Sequence, residues 1–228
     1  MHNRSKRMMF VLGGLVILFG ALMFWSAREA PLPDNARKDG AMMRIDIGEG
    51  AADEGEIKES LFTVPDQFEP KVTKGAITLQ MKFPDGAPYA GASLTQSGGR
   101  IKVVIEHRAK TEARSDSILR HTQPWGGQLL ATPWLVESKD GLDIYHYKVS
   151  EKVTGTYFSF VAKDGSRVLA EDAGGWSQNY VISRKLSPHI EITYLLPKKL
   201  VRDSKSFVED VTVADNVVLK LVQSFQPK

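Results

Sequence analysis

The hydrophobic pattern of the chain begins with one unbroken run. Residues 8–25, MMFVLGGLVILFGALMFW, hold no charged side chain. At about 1.5 Å per residue such a run makes a helix about 27 Å long, close to the hydrocarbon thickness of a bilayer. It predicts a transmembrane anchor. Arg4, Lys6 and Arg7 precede it, whereas Arg28 and Glu29 behind it nearly cancel. Positive residues stay on the cytoplasmic side, which makes residues 1–7 a cytoplasmic stub and puts the rest of the chain outside. A cleaved signal peptide is the competing reading. It calls for a shorter apolar region and a small-x-small site, but cleavage after Ala27 would set Trp25 in one of the small positions.

Residues 26–60 lose the pattern. Pro31, Pro33, Gly40, Gly48, Gly50 and Gly55 stand among small residues and an acidic excess, which reads as a tether with little to bury. Residues 42–47, MMRIDI, are the exception and suit a short strand.

From Leu61 the pattern becomes that of β-structure. Ile77, Leu79, Met81 and Phe83 alternate with Thr78, Gln80 and Lys82, the period-two signature of a half-buried strand. Residues 101–108, 142–149, 155–163, 167–170, 180–184 and 189–196 read as further strands. The stretch 155–163 has bulky residues on both faces, which suits a central position. Asp164-Gly165 predicts a two-residue hairpin turn. In 189–196, Ile190, Ile192 and Tyr194 share one face, with His189, Glu191 and Thr193 opposite. Two stretches break the rhythm: 111–121 is charged and suits a short helix, and 123–134, QPWGGQLLATPW, reads as a long loop.

The C-terminus returns to a helical period over 206–226. Phe207, Val211, Ala214, Val218, Leu221 and Phe225 form an apolar stripe, widened by Val208, Val217 and Val222. Glu209, Asp210, Asp215 and Lys220 lie opposite, and Ser206 with Glu209 fits a capping box. The expected fold class is α+β. An N-terminal transmembrane helix is followed by one β-rich domain, 61–228, of mainly antiparallel strands, with the amphipathic helix packed on the sheet.

Composition narrows the setting. The net charge is only +3, and Arg4, Lys6 and Arg7 account for as much, so the pI near 9.0 does not point to nucleic acid. The absence of cysteine removes disulfides, thiolate chemistry and a lipoprotein signal. Together with the anchor, this indicates the bacterial inner membrane, single-pass, with a cytoplasmic N-terminus and a periplasmic main domain.

The chemistry is sparse. His2, His107, His121, His146 and His189 show no helical ligand spacing, although those on predicted strands can meet across a sheet. There is no nucleophile elbow, P-loop or dinucleotide fingerprint. Glu171-Asp172 reads as a solvated loop pair. No catalytic residue, cofactor or metal ligand is therefore expected. Two Gly-rich aromatic stretches, 125–127 and 174–180, and the basic turn 197–202 suggest contact instead. Large aromatics with a polar handle suit interaction hot spots. The candidate interaction surface is Trp125, Trp134, Trp176, Tyr180, Lys198, Lys199 and Arg202. The expected function is that of a membrane-anchored periplasmic interaction protein without catalytic activity, an immunity-type inhibitor being one variety. Its partners would be the bilayer, through the N-terminal helix, and a protein, with no nucleic acid. An envelope hydrolase and an apolar-ligand carrier are the alternatives.

Overall fold

A computed structural model describes residues 36–48, 60–73, 75–89, 99–108, 133–148, 150–174 and 177–227. The anchor at 8–25, the charged stretch at 111–121, and Trp125 and Trp176 lie outside the described residues. Among the described residues no helix is long and apolar enough to cross a membrane.

Among the described residues, two antiparallel sheets and one α-helix make the fold. The smaller sheet joins β1 (Ala36–Asp39), β2 (Met42–Asp46) and β3 (Leu61–Pro65) in that order. The larger sheet holds β4 (Lys71–Thr73), β5 (Ala76–Lys82), β6 (Arg100–His107), β7 (Trp134–Lys139), β8 (Leu142–Lys148), β9 (Thr154–Val161), β10 (Arg167–Asp172), β11 (Asn179–Lys185) and β12 (Ile190–Pro197). Its spatial order is β4-β5-β6-β12-β11-β10-β9-β8-β7. From β7 the chain runs as a meander back to β12, which pairs with β6 and closes the two halves into one sheet. The helix α1 spans Phe207–Ser224.

Period-two alternation places the core. Ile77, Leu79 and Met81 of β5, Ile101, Val103 and Ile105 of β6, and Ile192, Tyr194 and Leu196 of β12 are buried on one face. The buried stripe of α1 (Phe207, Val211, Ala214, Val218, Val222) belongs to the same cluster, as do Met43, Ile45, Phe62 and Val64 of the smaller sheet. Phe207 packs on Phe158 and Tyr180 at 4.4 and 5.2 Å. At the far end of the helix Phe225 meets Phe68 edge-on at 5.3 Å, and its carbonyl accepts the Thr63 N–H at 2.7 Å. The helix therefore bridges the two sheets. The strand expected at 42–47 is β2, and the acidic stretch also supplies β1, which its local pattern does not predict.

Four local expectations need correction. Asp215, assigned to the polar side of the helix, is 2% exposed, because Arg184 of β11 reaches it beneath the helix. The capping box does not form: Ser206 has near-helical angles and makes no side-chain cap, and Asp203 accepts the Ser206 N–H at 2.8 Å instead. The hairpin between β9 and β10 has a three-residue loop, 163–165, closed by the Ala162 N–H donating to the Ser166 carbonyl at 2.9 Å, with only Gly165 at positive φ. Asp140-Gly141, by contrast, is a two-residue turn in which both φ values are positive, 52° and 79°, as a type I′ turn requires. Finally, three groups expected in solvent are buried: Glu191 and Thr193 on the polar face of β12, and Glu171, which with Asp172 belongs to β10 rather than to a solvated loop.

Candidate anion-binding groove

The face of the large sheet turned away from α1 carries a concentration of positive charge at one end. Because Ile77, Leu79 and Met81 point inward, Lys82 of β5 points outward. By the same alternation Arg100 and Lys102 of β6 share that outer face. The register sets Lys82 directly opposite Arg100. Like charges facing one another across a sheet are destabilising, so this pair opposes folding. Lys199 joins them from the 3-10 turn Lys198–Leu200 that follows β12. None of the four cations forms an ion pair within the described residues. Arg100 is held instead by the Tyr89 ring, whose centroid lies 5.1 Å from the guanidinium carbon.

Arg100, Lys102 and Lys199 line a concavity of about 480 Å³. Leu195 and Pro197 of β12 form its apolar lining, and the amides of Gln178 and Asn179 supply the remaining polar groups. Its size falls within the range of ligand clefts. Local hydrogen bonds fix the amide side. The Ser177 hydroxyl accepts the Asn179 N–H at 3.1 Å, and the Lys198 N–H donates to the Gln178 carbonyl at 2.9 Å. Lys198 Nζ donates to Asp172 at 2.7 Å and to the Gly174 carbonyl at 3.3 Å, tying the 172–179 connection to the turn that presents Lys199. Chemically the site offers positive charge, amide donors and acceptors, and a small apolar surface, a set suited to holding an anion that also carries peptide-like groups.

The sequence-predicted surface divides. Lys199 lines the groove. Lys198 is committed to Asp172, and Arg202 to Glu209 and Asp210 at 2.7 and 2.8 Å, a clasp across the start of α1. Tyr180 is half-buried on the helix side, with Lys198 Nζ 5.6 Å from its ring; burial and the Asp172 charge raise its phenol pKa. Trp134 sits on the opposite sheet edge, 41% exposed, edge-on to His146 at 6.0 Å. The structure therefore does not bring Trp134 to the basic turn. Two histidines do meet across the sheet: the rings of His107 and His189 stack at 6.1 Å. Among the described residues no three His, Cys, Asp or Glu side chains gather as a metal site.

Sequence reasoning missed Arg100 and Lys102, and reached Gln178 and Asn179 only as members of the stretch 174–180. The available signal was the set of cations at outward positions of two consecutive strands. Their convergence with Lys199 depends on the β6–β12 pairing, a long-range contact. Set beside known proteins, the chain matches no protein-family model, no curated protein and no solved structure.

Proposed function

We propose that this chain is a membrane-tethered, non-catalytic binding protein on the outer face of the bacterial inner membrane, and that it holds an anionic protein partner in the groove. The observation that carries the reading is the uncompensated charge: Lys82 and Arg100 oppose each other, Lys102 and Lys199 flank them, and no carboxylate pairs with any of the four within the described residues. Such a cluster opposes folding, and a bound anion relieves it while steering encounter. The apolar run and basic flank at the N-terminus support the location. An immunity-type inhibitor, stationed to neutralise an acidic toxin surface, is one form of this function. The groove is cation-rimmed, whereas a carrier of apolar ligands calls for an enclosed aliphatic cavity.

The test is affinity capture from envelope extract with the full-length chain in detergent, run beside Lys102→Glu/Lys199→Glu. Both side chains are exposed, so the variant is expected to fold. A stoichiometric partner captured by the wild type and lost by the variant is the expected result. Equal capture by both, or no partner at moderate salt, refutes the proposal.

A further inference from the structure

The groove has a repeat as well as a charge. Arg100 and Lys102 stand two residues apart on one strand, so their side chains emerge about 6.6 Å apart along β6. Leu195 lies directly opposite Lys102 on the neighbouring strand, and Pro197 follows two residues on. A cationic row and an apolar row therefore run side by side with the period of extended backbone. The amides of Gln178 and Asn179 each offer a donor and an acceptor, the pair a peptide group requires. The oxygens of a phosphodiester accept only. A lipid surface, moreover, is matched by a broad convex patch rather than a cleft.

Resting on the binding function proposed above, we infer that the groove recognises an extended acidic peptide segment with carboxylates on alternate residues, lying along β6. Alternate residues of an extended chain point the same way at about the same 6.6–6.8 Å repeat, so two successive acids reach Arg100 and Lys102 together. The intervening backbone lies against Gln178 and Asn179. Contiguous acids send every second carboxylate away from the cations.

The probes are two capped, fluorescently labelled heptapeptides of identical composition, Thr-Thr-Asp-Thr-Asp-Thr-Thr and Thr-Thr-Asp-Asp-Thr-Thr-Thr; in the second, only one of the two carboxylates can face the cations. Anisotropy is read with the full-length protein in detergent, alongside competition by inorganic phosphate and by phosphatidylglycerol vesicles. The alternating peptide is expected to bind about five-fold more tightly, the worth of one additional exposed ion pair at the upper end of its range. Arg100→Gln/Lys102→Gln, a milder change than charge reversal, is expected to abolish that preference while circular dichroism shows an unchanged fold. Equal binding of the two peptides overturns the inference yet leaves an anion site intact. Stronger competition by phosphate or vesicles than by unlabelled alternating peptide also overturns it. If neither peptide binds while partner capture still depends on Lys102 and Lys199, the alternating-acid inference alone fails. If capture is charge-independent as well, the function proposed above fails with it.

Discussion

Replacing Asp215 with leucine tests what holds α1 in register on the sheet. Arg184 donates to Asp215 and to Asp164, and Tyr194 Oη donates to Asp215 at 3.2 Å. The Arg184 and Asp215 side chains are only 2% and 3% exposed, whereas Asp164 is 45% exposed at the hairpin tip. Burial raises the Asp215 carboxyl pKa, and Arg184 opposes that rise without cancelling it, so the charge is held there at a cost. Asp215→Leu leaves a buried guanidinium with one partly exposed partner and removes the acceptor of the Tyr194 hydroxyl. Breaking a buried pair from one side costs about 3–5 kcal/mol. For a domain of this size that lowers Tm by about 6–20 °C, at about 2–4 °C per kcal/mol. Arg184→Met/Asp215→Leu/Tyr194→Phe removes all three polar partners together and is expected to recover to within about 1 kcal/mol of wild type, since apolar replacement of a complete buried network is often neutral. The assay is urea denaturation of the compact unit Pro33–Lys228, followed by far-UV circular dichroism. If the single substitution costs less than about 1 kcal/mol, or the triple is as unstable as the single, the network does not act as a unit and the reasoning is refuted.

Two further outcomes concern the hairpin tip, the start of α1 and the Tyr147 ring. Partial burial works to raise the Asp164 pKa, but the Ser166 N–H and Arg184 outweigh it and hold the carboxyl below its ordinary 3.8; Arg202, through its guanidinium and backbone N–H, does the same for Asp210. A depressed folded-state pKa stabilises fully above the unfolded value and is lost as pH falls through the folded one, so Asp164→Asn/Asp210→Asn flattens the decline of Tm below about pH 4, and an unchanged acid slope refutes this. Gly155 lies beneath the Tyr147 ring, which stacks on Tyr157 at 4.3 Å and donates its hydroxyl to Glu171 at 2.7 Å. A Cβ at that position overlaps a ring held from two sides, so Gly155→Ala is expected to cost about 1–3 kcal/mol by overpacking, and an unchanged melting curve contradicts it.

Much of the secondary structure was legible locally. The alternation at 77–83, 101–108 and 189–196 marks β5, β6 and β12, and the threefold and fourfold spacing from Phe207 marks α1. Such periods survive because each residue's face is set by its immediate neighbours. β1 and β7 were not legible. β1 buries only Ala36, and every residue of β7 is exposed, so neither edge strand carries an alternating pattern. Both form because a neighbouring strand offers unpaired backbone groups.

The sequence by itself determined the periodic strands β5, β6 and β12, the helix α1 with its apolar stripe, and the low net charge. Tertiary structure alone decided the partners. β6 pairs with β12 although 87 positions separate Ile105 from Ile192, which fall opposite each other only after the meander β7–β12 has returned. That pairing sets Leu195 against Lys102 and brings Lys199 to the cations of β6. The β11–β12 register, which sets Arg184 opposite Ile192, places Arg184 beneath α1, where it turns Asp215 from a surface residue into a buried one. The physical reason is range. Backbone periodicity links residues two to four positions apart, whereas the groove and the buried ion pair arise from strand order and register, which depend on how the whole chain closes its core.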